Sequence, residues 1–156
     1  MTDLKRFTGK TVIVTGSSSG IGEGIARRFA AEGANVVINS RSRDDLEQVA
    51  ADLDDERTLI IEGDISQSGF AARMVSETVE RFGALDVLCN NAGVGGGGPF
   101  SQASDEEIER ILSINVKGTM YACRAAYDAL KASRGSIINT SSVSGLGGDY
   151  VVAIYN

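Results

Sequence analysis

Five short runs of β-branched and apolar residues alternate along this chain with segments of helical period, and that alternation constrains its fold more than any other feature. Thr11-Val12-Ile13-Val14-Thr15, bounded by Gly9 and Gly16, has the pattern of a buried strand. Val36-Val37-Ile38, Leu59-Ile60-Ile61, Leu85-Asp86-Val87-Leu88-Cys89 and Ser136-Ile137-Ile138-Asn139 repeat it. Between them apolar residues fall at helical spacing: Ile21, Ile25 and Phe29; Leu46, Val49 and Leu53; Phe70, Met74 and Val79; Ile108, Ile111 and Leu112. Strands that read as continuous apolar runs need cover on both faces. The order therefore predicts a parallel sheet between two helical layers, joined by right-handed crossovers. This is a doubly wound α/β fold, and with 156 residues and no linker-like stretch it forms one domain.

Glycine punctuates the pattern. There are 19 glycines against one proline, without a period, which marks turns and close backbone approaches. Gly93-Val94-Gly95-Gly96-Gly97-Gly98-Pro99 reads as the one flexible loop. The helix after it starts near Ser104, with Glu107 as a capping-box partner. From Ile114 to Leu130 that helix is apolar on nearly every side and expects neighbours on two faces, one of which can belong to another subunit.

Charge and composition narrow the function classes. A formal net charge of -6 argues against a footprint on nucleic acid or an anionic membrane, although it does not exclude a small phosphate ligand held by backbone N–H groups. No apolar run approaches the length of a membrane span. The N-terminus leads into no hydrophobic signal region, and Cys89 and Cys123 sit in apolar stretches, so a reduced, cytoplasmic protein is expected. Histidine is absent, which removes the commonest general base and zinc ligand, and no cluster of metal-ligand residues is visible.

The chemistry is concentrated after the first strand. Thr15-Gly16-Ser17-Ser18-Ser19-Gly20-Ile21-Gly22 joins a strand, a glycine turn and a helix start, the combination that cradles a pyrophosphate. A glycine-rich turn without function is the alternative. The spacing Gly-x-x-x-Gly-x-Gly matches neither G-x-G-x-x-G nor the phosphate loop ending in Gly-Lys-Ser/Thr, which disfavours ATP hydrolysis.

Together with later motifs this segment resembles the short-chain dehydrogenase/reductase family. Asn90-Asn91-Ala92-Gly93 closes the fourth strand, Asn115 lies within the long helix, Ser142 ends the fifth strand, and Tyr155 follows Ser142 by thirteen residues. The resemblance runs from Lys10 onward and implies a Rossmann fold that binds NAD(P). Gly16, Ser18, Ser19, Gly20, Ile21 and Gly22 would hold the pyrophosphate, and Asn91, Ala92 and Gly93 would shape the crevice. Asp64 and Ile65, at the end of the third strand, would meet adenine, with a cap for the segment from Ser66 as the competing account of Asp64. Asn115, Ser142 and Tyr155 would form the reaction centre. Asn115 would distort its helix and hold a relay water, where a polar residue facing a loop is the alternative. Ser142 would hydrogen-bond the substrate oxygen, and Tyr155 would give or take its proton during hydride transfer.

The end of the second strand bears on the cofactor. Ser40 stands where an acidic residue would hold the ribose 2′-hydroxyl, and Arg41 offers a fork suited to a 2′-phosphate, which favours NADP(H) over NAD(H). Ser19, where many NADP-using relatives carry a basic side chain, argues the other way.

The family's lysine, four residues beyond its tyrosine, and its last strands lie past Asn156. The expectation is thus a truncated domain with an exposed fifth strand, inactive by itself because its tyrosine lacks the lysine. Two functions are carried forward. One is an oxidoreductase acting on a small-molecule ketone or secondary alcohol, a homo-oligomer in its full-length form. The other is a non-catalytic dinucleotide-binding or interaction module.

Overall fold

The computed structural model describes residues 5–148 and 152–155. Five parallel strands form one sheet in the order β3-β2-β1-β4-β5: β1 (Thr11–Thr15), β2 (Asn35–Ser40), β3 (Thr58–Glu62), β4 (Val87–Asn90) and β5 (Ser136–Asn139). The crossovers carry α1 (Gly20–Ala31), α2 (Arg43–Ala50), α3 (Phe70–Phe82), α4 (Asp105–Ile111) and α5 (Thr119–Ser133), and a short α6 (Ser144–Gly147) follows β5. This is the doubly wound fold that the alternation predicts.

Strand alternation builds the two layers. On one face of the sheet Val12, Val14, Val36 and Ile38 pack with Ala26 of α1 and with Leu46 and Val49 of α2. On the other, Ile13, Val37 and Leu88 pack with Met74 of α3 and with Ala122, Ala126 and Leu130 of α5. β1 is central and buried at every position, whereas β5 is exposed along its length, with Ile137 and Ile138 at 42% and 48%. A strand paired on one side and thinly covered by α5 has that exposure.

Some boundaries differ from the sequence reading. β4 begins two residues later because Asp86 is diverted to anchoring β1: its carboxylate accepts the Thr11 N–H at 2.9 Å and pairs with Lys10 at 2.7 Å. β3 ends at Glu62, two residues before Asp64, and β5 ends three residues before Ser142. The long helix runs unbroken from Asp105 to Ser133 but is not α-helical throughout. Leu112–Gly118 is wound as a π-helix between α4 and α5. On α5, Ala122, Ala126 and Leu130 are buried within the chain, while Met120 and Tyr127 are exposed on the other face.

The chain leaves β1 for β2 and β3 on one side, then returns to place β4 and β5 on the other. The loops after β1 and β4 therefore diverge at the sheet's carboxyl edge and open a crevice there.

Candidate active site

The glycine loop is held from below by two hydroxyls. Ser17, fully buried, donates its Oγ–H to the Val14 carbonyl at 2.9 Å and accepts the Asn39 N–H at 2.9 Å, tying the loop to β2. Thr15 Oγ1 accepts the N–H groups of Asn91 and Ala92 at 3.0 and 3.1 Å, tying β1 to the loop after β4. The two loops touch so closely that a Cβ on Gly16, whose φ is +64°, would lie 2.7 Å from Ala92 Cα. Ser17 and Thr15 were not among the residues singled out by sequence. A serine inside Gly-Ser-Ser-Ser-Gly and a threonine ending a strand look like any turn and strand residue until their partners are known.

α1 begins uncapped. Ser42 accepts the Asp45 N–H at the start of α2, and Ser104 accepts the Glu107 N–H at the start of α4, but Ser19 makes no such bond at the start of α1. The first-turn N–H groups of α1 are left for another acceptor. Gly20, at φ +57°, has no atom within 4 Å of where a Cβ would be. An uncapped helix start beside open space fits the phosphates of a dinucleotide.

A cleft of about 860 Å³ runs along the carboxyl edge. Gly16, Ser18, Ser19, Gly20 and Ile21 line it from the first loop; Ser40 and Arg41 from the second; Asp64 and Ile65 from the third; Asn91, Ala92 and Gly93 from the fourth. Asn115, Ser142 and Tyr155 line it too. Gly22 does not. It is buried behind the loop, where a Cβ would lie 2.1 Å from the Gly16 carbonyl oxygen and 2.5 Å from Asn91 Nδ2, so it acts as a spacer that lets α1 approach.

Several of these side chains are engaged already. Asp64 Oδ1 accepts the Ser66 N–H at 2.9 Å, the turn-capping role that competed with adenine contact in the sequence. Ser40 Oγ both accepts the Ser42 N–H at 3.2 Å and faces the Ser42 carbonyl at 3.1 Å. Ser142 Oγ accepts the Ser144 N–H at 3.2 Å, which leaves its own proton available to a substrate oxygen. Tyr155 is half-buried in a turn closed by its N–H to the Val152 carbonyl at 2.8 Å.

Asn115 pairs through its amide with the backbone of Val94: Oδ1 accepts the N–H and Nδ2 donates to the carbonyl, both at 2.9 Å. It sits inside the π-helical stretch, a distortion of the kind that is frequent at functional sites. The helix distortion and the polar contact to a loop, alternatives in the sequence, are thus both present. Thr119 Oγ1 donates to the Asn115 carbonyl at 2.9 Å. Glu109 braces the same stretch, and its hydrogen bonds from Lys117 and Ser113 hold its carboxyl below the usual range.

The glycine-rich loop is better held than its composition predicts. Besides Asn115 on Val94, Arg110 donates to the Gly95 carbonyl at 2.8 Å, Gly96 packs on Ile111, and Gly98 bridges to Val152. Long-range contacts to a helix override local permissiveness here.

The sequence model for short chain dehydrogenases matches residues 10–156. The chain belongs to the short chain dehydrogenase family. Among its relatives, meso-2,3-butanediol dehydrogenase of Serratia marcescens is 39% identical over 150 residues, covering 96% of this chain and 60% of that protein. Glucose 1-dehydrogenase of Gluconobacter oxydans is 41% identical over 143 residues, covering 88% and 54%. The crystal structure of a short-chain dehydrogenase/reductase, glucose/ribitol dehydrogenase, from Brucella melitensis superposes with a TM-score of 0.91 at 39% identity, covering 96% of this chain and 63% of that one. The chain thus spans somewhat over half the length of the relatives it matches. Short chain dehydrogenases use NAD(P)(H) in general. The uncapped start of α1, the close-packed glycine loop and the cleft volume of this member are consistent with such a ligand.

Proposed function

We propose that this protein is an oxidoreductase that moves a hydride between NADP(H), used in preference to NAD(H), and a ketone or secondary alcohol. The observation that carries the reading is the sharing of one cleft by the uncapped start of α1 and by Ser142 and Tyr155. The helix start in such a cleft suits phosphate, and the two lining residues with O–H groups can serve a substrate oxygen.

The nicotinamide supplies the hydride donor or acceptor. The protein's own groups act on the substrate oxygen. Ser142, with a lone pair engaged by the Ser144 N–H, donates its proton to that oxygen and polarises the C–O bond. Tyr155 gives its phenolic proton to the same oxygen in reduction and takes it back in oxidation. Asn115 holds the Val94 wall, and its carbonyl, which accepts from Thr119, would be the group that holds a relay water. Asp64 and Ile65 would hold the adenine, the first-turn N–H groups of α1 would hold the pyrophosphate, and Arg41 would hold the 2′-phosphate.

Leu112, Val116, Met120 and Tyr127 leave an apolar stripe exposed along the π-helical stretch and α5, which supports a homo-oligomer. Two free cysteines fit a reducing, cytoplasmic compartment. Among the described residues no helix is long and apolar enough to cross a membrane.

Titration of the purified full-length protein with NADP+ and NAD+, followed by nicotinamide absorbance with a panel of secondary alcohols and ketones, tests the reading. Tighter binding of NAD+ refutes the preference, and turnover unaffected by Tyr155→Phe refutes the chemistry.

A further inference from the structure

From the end of β2 into the first turn of α2 the cleft wall carries two charges of opposite sign that pair with nothing else described. Arg41 and Asp45 are both exposed and both line the cleft, and neither side chain makes a hydrogen bond or ion pair with another described residue. Their neighbours are occupied: Arg43 pairs with Glu47 at 2.7 Å, and the Ser40 hydroxyl is used within its own turn. Asp44 carries the same charge in the same first turn of α2 but does not line the cleft.

We propose that Asp45 is a cofactor-selectivity determinant, opposing the 2′-phosphate that Arg41 attracts and leaving a 2′-hydroxyl undisturbed. The proposal rests on the reading of the cleft as a dinucleotide site. A 2′-phosphate brings between one and two negative charges to the end of β2, where Asp45 adds a like charge and Arg41 an opposite one. A neutral hydroxyl responds to neither field. The preference for NADP(H) is then a residual, the excess of the Arg41 attraction over the Asp45 repulsion, and removing the carboxylate widens it. Both charges are solvent-facing, so the effect is modest and screened by salt.

The test is calorimetric titration of the purified protein and of its Asp45→Asn and Asp44→Asn variants with NADP+ and with NAD+, each variant checked for native circular dichroism. Asp45→Ser replaces Asp45→Asn if the latter does not fold. The expected result is a roughly three- to tenfold tightening of NADP+ in Asp45→Asn, with NAD+ changed by less than about twofold and Asp44→Asn close to wild type on both. In about 1 M salt, where the Debye length falls to about 3 Å, the gain should shrink below about twofold. An equal shift for both cofactors, an equal shift in Asp44→Asn, or unchanged NADP+ affinity overturns the role of Asp45 while the dinucleotide reading stands. Failure of the wild-type protein to bind either cofactor overturns the dinucleotide reading, and this proposal with it.

Discussion

Thr15 and Asn91 clasp each other across the switch point of the sheet. The Thr15 hydroxyl accepts the Asn91 N–H at 3.0 Å, and Asn91 Nδ2 donates back to the Thr15 carbonyl at 3.2 Å. The same amide reaches the Gly16 carbonyl at 3.2 Å, and the same hydroxyl serves the Ala92 N–H. Two loops that would otherwise splay from adjacent strands are thereby held as the two lips of one crevice.

Thr15→Val keeps the shape of this buried side chain and removes the acceptor. Two N–H groups lose their partner, so the variant should be destabilised by about 1–3 kcal/mol, read as a lower urea midpoint at an unchanged slope. Dinucleotide affinity should fall as well, because the lips lose their register. A midpoint equal to wild type would show that water replaces the hydroxyl at no cost.

Gly22 and Gly24 lie two residues apart in α1 and should respond oppositely to alanine. A Cβ at Gly22 meets the Gly16 carbonyl oxygen at 2.1 Å, whereas one at Gly24 meets nothing within 4 Å. Gly22→Ala should lose on the order of 1–3 kcal/mol and weaken dinucleotide binding, since it pushes the helix start away from the loop. Gly24→Ala should gain about 0.5–1 kcal/mol from helix propensity alone. Thermal melts of the two variants read both signs.

Glu32 makes the protein's stability acid-sensitive. It is buried at the end of α1, where a bidentate Arg6 and then Arg28 hold its carboxyl down to about 2 from an ordinary 4.5. A carboxylate depressed by folding contributes fully above its unfolded value and loses that contribution as pH falls through its folded one. Wild-type stability should therefore decline between about pH 4.5 and about pH 2, and Glu32→Gln should be less stable at neutral pH with a shallower decline over that range. Parallel acid limbs for the two proteins would remove Glu32 from the account.

Cys89 and Cys123 should differ in reactivity although both are free. Burial on β4, inside the sheet, pushes the Cys89 thiol up to about 11, so almost none is thiolate at neutral pH. Cys123 is half-buried on α5, where its sulfur accepts from Asn90 Nδ2 at 3.2 Å. A thiol reagent should label Cys123 in the native protein and Cys89 only after denaturation, as peptide mass mapping would read. Labelling of Cys89 at the native rate of Cys123 would contradict the burial argument.

Much of the fold was legible because strand and helix periods are local properties. The all-apolar run Thr11 to Thr15 announces a central strand covered on both faces, and the glycines after it announce a turn that only a positive φ can make, as Gly16 and Gly20 do. The membership of the cleft was legible too. Topology carries residues that follow strand ends to one edge, so Arg41, Asp64, Asn91 and Ser142 had to converge once the sheet was parallel.

What each of those residues does there was decided only by partners distant in sequence. Ser17 looks like its neighbours in a serine run, and is structural because Asn39 of β2 lies beside it. Gly22 looks like a cradle glycine, and is a spacer because the Gly16 carbonyl fills the space behind it. Asn115 marks a weak point in a helix, but its direction is set by the Val94 backbone 21 residues away, and the glycine loop that composition leaves flexible is held by that same amide and by Arg110. Asp45 carries no motif, and faces the cleft because α2 starts where β2 ends. A local pattern determines which surface a residue presents to its own strand or helix. The hydrogen bonds, close contacts and charges that meet that surface come from elsewhere in the chain, and they exist only once the sheet has brought its loops together.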